Sequence, residues 1–131
     1  MAEKLHDRAL AGRAFHLLGV SYYAVDKAEL AFECYEKAVD AFVDSTGYDS
    51  LEICPTLNNL AAMHFEFDDH AEALPIAQHA YMIRKTFLGP AAPLTLRSME
   101  SYGLILSDVD QARALSKTAL MKTCLPSIRG V

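Results

Sequence analysis

Five histidines and three cysteines are the side chains of this sequence best suited to hold a metal or attack a substrate, and their spacing argues against both uses. A zinc helix needs two histidines on one face at i and i+4. His64 and His70 stand six apart with Asp68 and Asp69 between them, so they flank a turn between helices and predict a solvated acidic turn without metal. His6, His16 and His79 are scattered. Cys34, Cys54 and Cys124 are odd in number and widely spaced, and Cys34 falls within an apolar helical pattern. That favours free thiols acting as small hydrophobes over a disulfide or a reactive thiolate. The phosphate loop G-x-x-x-x-G-K-[ST], the nucleophile elbow G-x-S-x-G and the zinc helix H-E-x-x-H are all missing from the sequence. No reaction is nominated, and the chain is expected to work without catalysis or cofactor.

The background in which these residues sit is helical. Apolar residues make up 52 % of the 131 positions, while glycine and proline number only 6 and 5. Such a composition favours an ordered helical domain or a short array of repeats sharing one core. The net charge of −5 arises from 17 acidic and 12 basic side chains without a basic block, so neither nucleic acid nor an anionic membrane is expected as a partner. The start MAEKLHDRAL has no secretory apolar core, and no apolar run approaches the roughly twenty residues of a membrane span. The expectation is a soluble, cytoplasmic protein.

An internal repeat organises the chain. Gly47 and Gly89 stand 42 residues apart, and the same shift carries Leu18-Gly19 onto Leu60-Ala61 and then Tyr102-Gly103. It also carries Ala31 onto Ala73 and Ala38 onto Ala80. Small residues at fixed places in a helix let a neighbouring helix approach closely. Each unit reads as two helices. In the first unit, Phe15, Leu18, Val20 and Tyr22 mark one helix, and Leu30, Ala31, Cys34, Tyr35, Ala38 and Phe42 the other. Asp26 with Glu29, and Asp69 with Glu72, read as capping boxes for the second helices, and Gly47 and Gly89 as their ends. Pro55 predicts that a helix starts or bends there after a separate turn over 49–54. Pro75 is read as lying near a helix start, where its missing N–H does little harm. In a contracted third unit, 94–106 and 111–122 are expected to form the two helices, with Ala112 and Ala119 as the small residues. The unit boundaries fall at about 8–47, 48–89 and 90–125 of a single domain, 1–131.

Phe15, Leu18, Gly19, Tyr22, Ala31, Tyr35 and Ala38 together resemble the tetratricopeptide signature. Leu57-Asn58-Asn59-Leu60-Ala61, Ala73-Leu74-Pro75, Ala80 and the turn Leu88-Gly89-Pro90 resemble its kinesin light chain type, whose repeats span 42 residues. The resemblance covers about residues 10–110 and implies an all-α, right-handed superhelical array of about three helix-turn-helix units. It also implies a concave groove, lined by the first helix of each unit, that binds a peptide or helix of a partner protein. Matched residue by residue, that surface would hold Arg13, His16, Val20 and Tyr23 from the first unit, Asn58, Asn59, Ala62 and Phe65 from the second, and Arg97, Glu100, Ser101 and Leu104 from the third. Asn59 is the strongest candidate, since an amide side chain can both donate to and accept from a peptide backbone. The competing role for Asn58 and Asn59 is a hydrogen bond within the repeat interface.

The resemblance also limits the specificity. A clamp for a terminal carboxylate, as in the chaperone-binding branch, would want Lys and Asn where this chain has His16 and Val20. Acidic cargo would want several groove cations, and only Arg13, Arg97 and His16 answer. The tail TCLPSIRGV is too short for a polar capping helix, so the C-terminal unit is expected to leave apolar surface open. A self-assembling scaffold that acts through its terminal helices is therefore the alternative function, with homo-oligomers formed through the C-terminal unit.

Overall fold

In a computed structural model, the chain is described over residues 2–124, with side chains for residue 4 and residues 6–110. Among the described residues five α-helices follow one another: α1 (Ala2–Ala24), α2 (Ala28–Thr46), α3 (Cys54–Glu66), α4 (His70–Leu88) and α5 (Pro93–Cys124). A short 3-10 turn, Leu51–Ile53, leads into α3 and places Pro55 in its first turn, where a missing N–H costs no hydrogen bond. The helices form an all-α array in which α1 pairs with α2, α3 with α4, and α5 packs on α4.

Among the described residues three clusters make the core and join each pair to the next. Ala38 and Phe42 of α2 meet Ile53, Cys54 and Leu57, then Ala80 and Ile83 of α4. Ala31 and Tyr35 meet Leu60 and Met63 of α3. Ala61, Ala73 and Ala77 meet Ile105 of α5. Cys34 and Cys54 are buried free thiols; Cys124 has no described side chain. The two helical turns have one geometry, 42 residues apart. Asp26 and Asp68 take left-handed backbone angles, φ 67° and 61°, which aspartate tolerates better than most residues. Lys27 N–H then reaches back to Tyr22 O and Asp69 N–H to His64 O. Gly47 and Gly89 end α2 and α4 at φ 86° and 91°.

Several expectations are corrected. The residues before α2 and α4 are Lys27 and Asp69, and neither makes a side-chain cap: the shift pairs Asp26 with Asp68, and the Asp69 carboxylate is 3.2 Å from His64 Nδ1 instead. Pro75 lies inside α4, past its first turn, so Ala71 O loses its helical donor on an exposed face. The third segment is one continuous helix of 32 residues, where a pair over 94–106 and 111–122 was expected. No proline interrupts the sequence between Pro93 and Pro126, and the polar stretch 107–110 contains only residues a helix can accommodate. The side chains of Ala112 and Ala119 lie outside the described residues. Leu18 is 46 % exposed although its counterpart Leu60 is 7 % exposed, because α2 covers Leu60 and no described helix covers Leu18.

Candidate peptide-binding groove

Helices α1 and α3 lie side by side, with α2 rings forming the floor of the valley between them. Two adjacent depressions open there. One, of about 330 Å³, is lined by Arg13 and His16 of α1, Phe42 of α2, and Glu52, Pro55 and Thr56. The other, of about 240 Å³, is lined by Val20 and Tyr23 of α1, Tyr35 of α2, and Asn59, Ala62, Met63 and Glu66 of α3. Arg13 and His16 stand seven residues before Val20 and Tyr23, two helical turns along one face, so the depressions lie about 10 Å apart. An extended chain covers that distance in about three residues.

Hydrogen bonds tie the walls together. His16 Nδ1 lies 2.9 Å from Thr56 Oγ1, and the Tyr23 hydroxyl donates to the Glu66 carboxylate. That acceptor raises the Tyr23 phenol above its ordinary value of 10.0. Asn59 Nδ2 donates to the Tyr35 hydroxyl over 3.4 Å, and burial raises the Tyr35 phenol above 10.0. Tyr35 also packs its ring 5.8 Å from that of His16, so a buried α2 aromatic sets the position of residues on both walls.

Burial lowers the His16 imidazole below its ordinary value of 6.5. The sign of the linkage follows: the unfolded chain binds the proton more tightly, so stability is full above about 6.5 and falls as the pH drops below it, down to the folded-state value. Thermal melts from pH 7.5 to 5 should show that decline, and His16→Gln should flatten the part due to this residue. Equal slopes in both proteins would remove His16 from the acid sensitivity.

The expected groove residues therefore divide. Arg13, His16, Val20, Tyr23, Asn59 and Ala62 all line the two depressions. Asn58 does not: its side chain faces α5, donating to Ser98 Oγ at 3.0 Å, and so takes the interface role. Phe65 packs into the third core cluster with its ring 4.8 Å from that of His70. Arg97, Glu100 and Leu104 are exposed on α5 and Ser101 is half-buried; none of the four lines either depression. Sequence reasoning missed Thr56, Glu52, Tyr35 and Glu66. Of these, Thr56 and Tyr35 were hidden because buried hydroxyls on an apolar face look like packing until their partners are known.

The interface that Asn58 joins is polar and buried. Arg84, 5 % exposed, donates from its guanidinium to Ser98 Oγ at 3.0 Å and Leu94 O at 3.2 Å, while Thr95 Oγ1 donates to Arg84 O. Burial, reinforced by the Arg97 charge, pulls the guanidinium below its usual value, and the neighbouring Cys54 opposes this. His70, paired with Asp108 at 3.1 Å, fixes α5 to the start of α4. The separate pairing of His64 with Asp69 and His70 with Asp108 leaves the two histidines serving different contacts.

A model built on tetratricopeptide repeats matches residues 10–86 and again 52–120. The chain belongs to the tetratricopeptide repeat family. Tetratricopeptide domains are interaction modules that bind partner proteins, on a fold that is generally not catalytic. Clustered mitochondria protein homologs from Aspergillus oryzae and Aspergillus terreus are each 27 % identical to it over 99 residues. That match takes in 76 % of this chain and 8 % of each relative, so this tetratricopeptide array corresponds to a small part of their length. Among the described residues, no helix of the array is long and apolar enough to cross a membrane.

Proposed function

We propose that the valley between α1 and α3 is the concave groove of a non-catalytic module and binds an extended segment of a partner protein. The observation that carries this is the pair of neighbouring depressions lined by both first helices. The first depression offers Arg13 and Glu52 at its rim, and the second an apolar floor with the amide of Asn59. A peptide with a charged or polar side chain at one position and an apolar one about three residues away suits both. Clustering of mitochondria, the process in the relatives' name, is the setting in which to seek the partner first. The test is selection from a random peptide library, repeated on Val20→Glu and Ala62→Arg, two exposed positions whose replacement fills the second depression and leaves the core alone. Selected peptides should lose binding about tenfold or more on either variant. Unchanged binding would move the site elsewhere.

A second reading, a scaffold assembling through terminal helices, rests on α1. Leu10, Leu17 and Leu18 are 47, 65 and 46 % exposed along one side of it. Light scattering at high concentration decides: a monomer throughout ends this reading.

A further inference from the structure

A third recess, of about 560 Å³, lies apart from the groove, between α2 and the turn from α3 into α4. It is lined by Phe32, Glu36, His64, Phe67, Asp68 and Asp69. Its walls are aromatic: the rings of His64 and Phe67 stand 5.0 and 5.8 Å from that of Phe32, tilted to it by 55° and 52°. Phe67 is 56 % exposed. The face of an aromatic ring attracts a cation placed within about 6 Å of its centre. This chain already uses that attraction twice, with Lys37 over Phe15 and Lys85 over Tyr81, both at 5.8 Å. At the third recess the rings stand among carboxylates instead.

The surface beside the recess has the same sign. Glu29, Glu33, Glu36 and Asp40 are exposed on α2 at spacings of three and four residues, so they form one row. Asp44 continues the row and holds Arg8 at 3.2 Å. Tyr35 and Phe42, which floor the groove, project from the other side of α2. Among the described residues neither the four carboxylates of the row nor Asp68 pairs with a cation. Asp69 is already engaged by His64 at 3.2 Å. We infer that this face binds a basic segment of a partner protein, seating one arginine against Phe32 and Phe67 with Glu36 and Asp68 as acceptors, and further cations along the row. Arginine suits the recess better than lysine, because a planar guanidinium can lie on a ring and still donate in its own plane to carboxylates.

The probe is a labelled peptide in which glycine alternates with lysine around one central arginine. It is titrated into the intact chain at about 0.15 M salt, where exposed charges more than about 8 Å apart are largely screened. Binding should be saturable, and citrulline in place of the arginine should weaken it about tenfold or more. Glu36→Lys, which puts a like charge into the recess, should weaken it as much. Phe67→Leu keeps an apolar side chain but removes the ring, and should weaken binding about fivefold. Both positions are exposed, and circular dichroism checks that the variants fold. Glu100→Lys makes the same change of charge on α5 and should alter binding less than about twofold, as should Val20→Glu in the groove. No binding, or an equal loss in Glu36→Lys and Glu100→Lys, overturns the inference; the equal loss would mark diffuse attraction to an acidic chain. Binding that emerges only when Arg113, Lys117 and Lys122 are replaced by glutamine would give the recess to the chain's own cations. A dimer that Glu36→Lys dissociates would give it to a second copy, and either result overturns the partner reading.

Discussion

Gly19→Ala should lower the stability of this protein by about 1–2 kcal/mol, although glycine-to-alanine changes inside helices ordinarily stabilise. The new Cβ would lie 2.6–3.0 Å from three atoms of the Tyr35 ring. That ring cannot simply swing aside, because it is 2 % exposed, is packed with Leu60 and Met63, and accepts the Asn59 hydrogen bond at its hydroxyl. Overpacking of this kind costs roughly 1–3 kcal/mol, of which the gain in helix propensity returns about 1. Gly103→Ala provides the opposite sign. With no described atom within 4 Å of the new Cβ, the substitution should stabilise by about 0.5–1 kcal/mol. Urea unfolding of the two variants checks both, and a gain of stability in Gly19→Ala would show that α1 and α2 are not in contact as described.

The second large effect is expected at Arg84. Truncation to alanine leaves a cavity and removes the donor to Ser98 Oγ and Leu94 O, groups buried between α4 and α5. The cost should be about 2–4 kcal/mol. Arg84→Met should cost much less, within about 1.5 kcal/mol, since an unbranched apolar chain refills the volume and removes a buried cation that has neutral hydrogen-bond partners. Limited proteolysis adds a readout of place: with Arg84→Ala, cleavage should begin in α5, whose attachment the network provides. Equal stability of the alanine and methionine variants would mean that the cavity contributes little.

Much of the architecture was legible because two units obey one 42-residue shift. That shift located the glycine-ended helices and the side of α3 that faces α4. It failed where a position's neighbour, rather than its helix, decides its role. Asn58 and Asn59 are adjacent and of one type, yet one faces α5 and the other lines the groove, since a step of 100° around the helix separates the two directions. Arg84 was overlooked although the shift places it on Phe42, an apolar position at which a cation announces a buried polar network. The continuity of α5 was missed because similar pairs of small residues can be found in any alanine-rich helix, and only contact with a partner helix gives them meaning.

The size matching between α1 and α2 has a consequence for folding. Arrays of similar units risk pairing a helix with the wrong hairpin's partner during folding. Here the partners are not exchangeable. Were α4 to cover α1, Arg84 would replace the Phe42 ring over Gly12, leaving a void and an unaccompanied charge; were α2 to cover α3, that ring would meet Cys54 in a seat already filled. Similar as they are in backbone and period, the hairpins carry distinct keys, and each second helix finds its own first helix by shape.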